Sequence, residues 1–254
     1  MYSEGTATVE DFIEALRQHA PAFKVQLSAG EERRLGSYYT MVRQWSARLH
    51  LVAPCSAEEF ATRHVLESLT ALPFLYEGAR VVDVGSGAGL PVIPCLIART
   101  DIQATMIEAS QKKAVFLREA LRVTEASGQA RVVARRFEET EAPEAEFVTC
   151  RALERFTEKF SELVEWSPPS STLLFFGGAT LQAEIEKAAL GFNSLLIPES
   201  ELTDDRLTGE LTSLLRDPHR LRTMGARART LAHPDALQRI AEMAVRLAAG
   251  RIAG

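Results

Sequence analysis

Cysteine is scarce in this 254-residue chain, and the three present, Cys55, Cys95 and Cys150, are odd in number and far apart. That pattern excludes a disulfide framework and supplies no C-x-x-C metal site, so we expect no metal and reduced thiols. Long apolar runs are missing as well: nothing approaches the ~18 consecutive apolar residues that a spanning helix needs. The opening Met1-Tyr2-Ser3-Glu4 has no basic region followed by an apolar one, which predicts neither export nor a membrane anchor but a cytoplasmic protein. Positive charge is not in excess, with 29 Lys and Arg against 34 Asp and Glu, a net charge of −5. That balance excludes a generally basic nucleic-acid binder, though not a local patch. No internal repeat or low-complexity linker is present. What remains, 46% apolar and 25% charged, is the composition of a soluble globular protein long enough for a full core.

The chain is organised around Val81-Val82-Asp83-Val84-Gly85-Ser86-Gly87-Ala88-Gly89-Leu90-Pro91. β-branched Val81, Val82 and Val84 suit a strand buried on both faces, and glycines at every second position let the backbone turn sharply and approach a ligand. Backbone N–H groups of such a turn face a bound molecule. The dinucleotide fingerprint needs a third small residue where this chain has Leu90, which argues against NAD. A second apolar run, Ala104 to Ile107, ends in Glu108, nineteen residues after Gly89. In a βαβ unit a carboxylate at that strand tip can accept both ribose hydroxyls of an adenosine-containing cofactor. Asp83, the spacing Gly85-x-Gly87-x-Gly89 and Glu108 together resemble the cofactor site of S-adenosylmethionine (AdoMet) methyltransferases. A glycine-rich turn with no ligand is the alternative.

Residues 8–72 read as three helices. Thr8 with Asp11, Ser28 with Glu31 and Ser56 with Glu59 have capping-box spacing. Leu35, Tyr38, Tyr39, Val42, Trp45 and Leu49 recur at spacings of three and four, one broad apolar face that we expect to be core. His64 is expected to be packed or hydrogen-bonded, not a catalyst. From residue 80 onward apolar runs alternate with helical segments, which calls for a parallel sheet covered on both faces. Strands are predicted near 80–84, 104–108, 131–134, 146–150, 171–176 and 193–197. After about 198 three short amphipathic helices are expected, with Arg220, Arg222, Arg227 and Arg229 on a solvated strip.

Two further groups matter because strand C-termini line the ligand crevice of an open α/β sheet. Arg135-Arg136-Phe137-Glu138-Glu139 follows one strand, where Glu138 can accept an adenine amino group while Phe137 covers the ring; a charged surface loop is the alternative. Arg151 follows another, and could face the cofactor, an RNA, or the acidic loop 138–146 with its five Glu. Between Lys112 and Arg136 seven Lys and Arg face two acids, a local sum of +5. Lys112, Lys113, Arg118 and Arg122 are therefore candidates for RNA phosphates, with a solvated helix face as the alternative.

Trp45, the run Arg63 to Leu69, Asp83 to Pro91 with Ile93-Pro94, Glu108 with Ser110 and Lys112-Lys113, Phe116-Leu117, Arg136 to Glu139, and Arg151-Ala152 make residues 41–152 resemble the bacterial 16S ribosomal RNA guanine-N7 methyltransferase G family, also called glucose-inhibited division protein B. The resemblance implies a Rossmann-like AdoMet methyltransferase sheet of the α/β class. It implies AdoMet contacts at Gly85, Leu90, Phe137, Glu138 and Arg151, and methyl transfer to a guanine of 16S rRNA in the small ribosomal subunit. With the residues read above, the expected cofactor set is Asp83, Gly85, Gly87, Gly89, Leu90, Glu108, Phe137, Glu138 and Arg151, the last also a candidate active-site wall. The expected organisation is an N-terminal helical cap (1–76), an AdoMet-binding core (77–198) and a helical C-terminal extension (199–254). Three departures stand out. His50-Leu51 replaces the family's Asn-Leu and Gly177-Gly178 its Lys-Gly; and through Ile197 to Thr203, Leu214 to Pro218, Met224, Ala228-Arg229 and Pro234-Asp235-Ala236, residues 197–247 resemble the C-terminal helices of the peptidoglycan glycosyltransferase MurG without its nucleotide-sugar loops. The rival readings are a non-catalytic AdoMet- or ribosome-binding relative and a methyltransferase with another substrate.

Overall fold

The computed structural model describes residues 8–151 and 156–176; the expectations for a strand at 193–197, for Gly177 and for the C-terminal helices lie outside them. The N-terminal part opens with α1 (Val9–His19) and α2 (Ala29–Leu49). Both start on reciprocal capping boxes: the Thr8 hydroxyl accepts from Asp11 N–H at 3.1 Å while Asp11 accepts from Thr8 N–H at 2.7 Å, and Ser28 and Glu31 repeat the exchange. The third predicted box is only half made. Ser56 accepts from Glu59 N–H at 3.0 Å, but the Glu59 carboxylate turns to Arg63 one helical turn on. Helix α2 stops at His50, whose φ is +47°. Asn tolerates that left-handed conformation better than most residues, so the His50 departure falls on a helix stop.

The third predicted helix is not uniform. Helix α3 (Ala57–Glu59), a π-helical segment (Phe60–Leu66) and α4 (Glu67–Leu69) follow one another without a break. Then come β1 (Arg80–Val84), α5 (Val92–Ala98), β2 (Gln103–Ile107), α6 (Gln111–Val123), β3 (Ala130–Val133), β4 (Phe147–Cys150), α7 (Phe156–Trp166) and β5 (Thr172–Phe175). The strands form one parallel sheet in the order β3-β2-β1-β4-β5, the doubly wound α/β arrangement expected from the alternation.

Adjacent residues of β1 show how the two faces are filled, since side chains alternate across a strand. Val81, with Ala104 and Phe147, joins a core that also holds Phe12, Leu16, Leu35, Tyr38, Val42, Phe60, Leu66, Ile93 and Phe116. Val82 and Val84 join the smaller core of the other face, with Ile107, Val148 and Leu163. The helical cap and the sheet thus share one hydrophobic core, in which each large buried side chain contributes about 1.5–3 kcal/mol.

Within the described residues β3 is one margin of the sheet. The carbonyls of Gln129 and Val133 accept from Ala104 and Glu108 N–H at 2.8 and 3.0 Å, so the alternation turns those of Val132 and Ala134 outward. There Arg118 and Gln111 of α6 donate to them at 3.2 and 2.9 Å.

Candidate functional site

The turn after β1 is held from both sides. Gly85 and Ser86 N–H groups donate to Ile107 O at 2.9 and 3.1 Å, which ties the end of β1 to the end of β2. Gly89 N–H closes the turn onto Ser86 O at 2.6 Å, and Gly89 O receives Ile93 N–H at 2.7 Å to open α5. Gly87 and Gly89 have φ of +50° and +88°, where L side chains are strained. Gly89 has no room either: a Cβ there would lie 2.8 Å from Ile93 Cγ1 and still closer to its Cδ1. Leu90, 7% exposed, is packed in the main core and precedes Pro91 through a cis peptide.

Two acids face this turn from the strand ends. Glu108, 7% exposed, accepts Gly87 N–H on Oε2 at 2.8 Å and Ser110 N–H on Oε1 at 2.7 Å. It lies at the tip of β2 against the glycine turn, as the spacing predicts. Asp83, 1% exposed, accepts the Thr149 hydroxyl on Oδ1 at 2.7 Å, while Oδ2 is buried with no partner among the described residues. Burial pushes its carboxyl up to about 7; the Ser86 and Thr149 hydroxyls oppose that rise and the Glu108 charge adds to it.

Arg151, just past β4, does not turn to the acidic loop 138–146. It spans to the helical cap instead, donating to Glu67 Oε2 at 2.7 Å, Ser68 Oγ at 3.1 Å, His64 O at 3.4 Å and the Arg63 carbonyl. Partners more than 80 residues away in the chain left no local sign of this role. The guanidinium therefore braces the π-helical segment, a geometry that recurs at functional sites. His64 lies edge-on to Phe60 with ring centroids 5.2 Å apart, and its Nδ1 is buried without a partner among the described residues. Burial first, then the Arg151 and Arg63 charges, push its imidazole down to about 4. It is packed, as expected, with its buried ring nitrogen unpaired among the described residues.

Phe137 and Glu138 lie after β3 on the other face of the sheet. Phe137, 4% exposed, meets Trp166 edge-on at 5.5 Å inside the smaller core. The Glu138 carboxylate pairs with Lys159. Burial would raise its pKa, but the Lys159 hydrogen bond and charge, with backbone help, hold it below the usual carboxylate range. Of the four basic candidates, Arg118 reaches Val132 O and Arg122 pairs with Glu119. Lys112 is exposed and Lys113 half-buried, and both stand in the first turn of α6 beside Glu108.

Sequence reasoning missed Tyr38, whose hydroxyl donates to Ala88 O at 2.7 Å within the glycine turn. It also missed Thr149, Glu67 and Ser68 as partners of predicted site residues. The arrangement offers a ligand a nearly buried carboxylate at a strand tip, a glycine turn whose backbone can be approached closely, and beneath it an acid with one oxygen unpartnered among the described residues. The N–H groups of Gly85, Ser86, Gly87 and Gly89, expected to face a bound molecule, are instead bonded to Ile107 O, Glu108 and Ser86 O. A cleft of about 440 Å³ at the opposite ends of the strands, lined by Arg80, Gln103, Arg131 and Glu144, contains none of the predicted site residues. Among the described residues no His, Cys, Asp and Glu group could hold a metal, and no helix is long and apolar enough to cross a membrane.

A family model described as rRNA small subunit methyltransferase G matches residues 31–201, a span that runs from α2 past β5 and leaves the last part of the chain outside it. Ribosomal RNA small subunit methyltransferase G of Gluconobacter oxydans (strain 621H) is 35% identical over 167 residues, covering 64% of this chain and 83% of that protein. The protein of the same name from Acidiphilium cryptum (strain JF-5) is 33% identical over 195 residues, covering 76% and 88%. Among solved structures, an RNA methyltransferase from Salinibacter ruber in complex with S-adenosyl-L-homocysteine superposes with a TM-score of 0.38 at 20% identity, over 44% of this chain and 72% of that one.

Proposed function

Since the chain belongs to the rRNA small subunit methyltransferase G family, we propose that it transfers a methyl group from AdoMet to N7 of a guanine in 16S rRNA, acting in the cytoplasm on the small ribosomal subunit or its RNA. The observation that carries this reading is Glu108, a nearly buried carboxylate at the tip of β2 whose oxygens reach the glycine turn and the start of α6. The residues present fit the cofactor. Glu108 would take the ribose hydroxyls, the turn 85–89 would lie against the nucleoside and methionine backbone, and the unpartnered Asp83 Oδ2 suits the cationic amino-acid end.

When bound, AdoMet supplies an electrophilic sulfonium methyl. Guanine N7 carries an unprotonated lone pair, so no side chain has to remove a proton to prepare it. The protein's part is to position the base and to accommodate charge as it moves from sulfur to purine. Glu108 is thus assigned to binding; Glu138 would join it only by sharing the carboxylate that Lys159 already holds, and Arg151 is assigned to the wall of the site through the π-helical segment it braces. Lys112 and Lys113, in the first turn of α6, are assigned to RNA phosphates. The MurG-like residues 197–247, without nucleotide-sugar loops, are assigned no sugar transfer.

The test is incubation with methyl-labelled AdoMet and small subunits, deproteinised rRNA, or no RNA, followed by mapping of the labelled nucleotide. Label on guanine N7 of 16S rRNA is expected. Labelling of another base, or cofactor binding without transfer to either RNA form, would overturn the reading.

A further inference from the structure

Tyr38 carries a hydroxyl where packing alone asks for none. It lies on the apolar face of α2 with Leu35 and Val42, is fully buried, and has its ring centroid 6.2 Å from that of Phe60. Phenylalanine would fill this space equally well, and a buried hydroxyl without a partner is costly. The hydroxyl has a partner outside the cap, Ala88 O at 2.7 Å. Burial, with the Asp83 charge adding and the Arg151 charge opposing, raises the phenol pKa well above its usual value, so the group stays a donor.

Ala88 sits between two residues with left-handed backbone, Gly87 and Gly89. Its carbonyl and the N–H of Gly89 are the two ends of one rigid peptide plane. That N–H closes the turn onto Ser86 O. One residue earlier, Gly87 N–H is held by Glu108 from the β2 side. The turn is therefore clamped from opposite walls, by a carboxylate of the sheet and by a phenol of the helical cap. A turn whose backbone a ligand lies against depends on how its peptide planes are held.

We propose that Tyr38 is a positioning residue for the cofactor: from the helical cap its hydroxyl fixes Ala88 O and with it the shape of the glycine turn, so that cofactor affinity is set partly by α2. This rests on the reading of the turn as the AdoMet site. It gives the cap a role in cofactor binding beyond covering the sheet.

The test is Tyr38→Phe in the full chain, which keeps the ring and removes the bond. AdoMet and S-adenosylhomocysteine affinity, measured by calorimetry, should weaken about tenfold, the usual scale for a carbonyl left unpaired in a buried site. The KM for AdoMet should rise with kcat nearly unchanged. Without ligand, hydrogen exchange at the amides of residues 85–90 should quicken while the amides of β1 and β2 keep their protection. Leu16→Val, a core change in α1 away from the turn, is the control: it should lower the melting temperature and leave affinity alone.

Unchanged affinity and loop protection in Tyr38→Phe would overturn the proposal. So would an equal loss of affinity in Leu16→Val, because affinity would then merely follow stability, and so would a Tyr38→Phe protein that fails to fold. A wild-type chain that binds neither ligand would overturn the cofactor reading along with it, whereas wild-type binding matched by Tyr38→Phe sinks this inference alone.

Discussion

On the cap side of the glycine turn Tyr38 reaches Ala88 O through a buried hydrogen bond, and Arg151, past β4, ties the π-helical segment down through the Arg63 and His64 carbonyls. On the β2 side the Ile107 carbonyl and the Glu108 carboxylate hold the turn, and beyond them α6 begins with Lys112 and Lys113 in its first turn. One wall is built like a core, where a lost atom is felt at once. The other presents charge to water, where a macromolecule can approach and each contact counts for little. The difference suggests a division of labour, with small-molecule geometry fixed from the cap and the large anionic substrate met on the open flank. Substitutions on the two walls should therefore differ in size and in kind.

The largest effect is expected where the turn meets the core. Gly89→Val places a side chain against Ile93 and Leu117 at a φ of +88°, and should cost about 3–5 kcal/mol in chemical denaturation. Gly87→Val meets only Gly85 O at 3.6 Å, so its cost is backbone strain, about 1–3 kcal/mol. It should nevertheless abolish AdoMet binding in calorimetry, and near-native affinity in a folded Gly87→Val protein would remove the turn from the cofactor site. Next comes Glu108→Ala, which should weaken AdoMet by about 1–3 kcal/mol while RNA binding alone barely moves. Reversed losses would transfer Glu108 to the RNA flank.

The buried Asp83 and the half-buried His64 are shifted in opposite directions. Asp83, with its pKa raised to about 7, keeps a proton in the folded chain that the unfolded chain has released above its ordinary value of 3.8, so its contribution to stability falls as pH climbs through that window. His64, lowered to about 4 from 6.5, refuses a proton that the unfolded chain accepts, so its contribution is lost as pH falls from 6.5 toward 4. Asp83→Asn should raise the melting temperature on the order of 5 °C at pH 8 while cofactor affinity drops. His64→Gln should flatten the acid limb. Melting curves of both variants across pH 4–8 decide this, and parallel profiles would show that neither group titrates as its burial implies. The smallest effect belongs to the open flank: replacing Lys112 and Lys113 by Ser should reduce the salt slope of RNA binding by about one per lost contact and leave AdoMet affinity unchanged.

Much of this site was legible because its parts are local. Valine runs and a glycine turn mark a strand and its exit, and Glu108 was placed by counting along a βαβ unit whose geometry allows little else. Strands β1 to β5 fell where alternation put them. The cap-side wall was not legible, for a physical reason in each case. Tyr38 shares its spacing with Leu35 and Val42, so pattern reads its ring and is blind to its hydroxyl. Arg151 finds Glu67 84 residues away in sequence, a pairing that only the fold creates. The π-helical segment keeps the apolar spacing of an ordinary helix, so nothing in the run Phe60 to Leu66 announced it. Glu138 was read as an open acceptor, yet Lys159 from α7 already holds it.

The outward carbonyls of Val132 and Ala134 bear on a different matter, how one copy of the chain meets another. A strand at a sheet margin with free acceptors is a template for a further strand, the first step of edge-to-edge aggregation. Arg118 and Gln111 fill two of those acceptors from α6, so an incoming strand would have to displace bonded side chains, one of them a cation. Part of the basic character that looked like an RNA footprint is thus also a guard on the sheet, and removing it would trade solubility for an exposed seam.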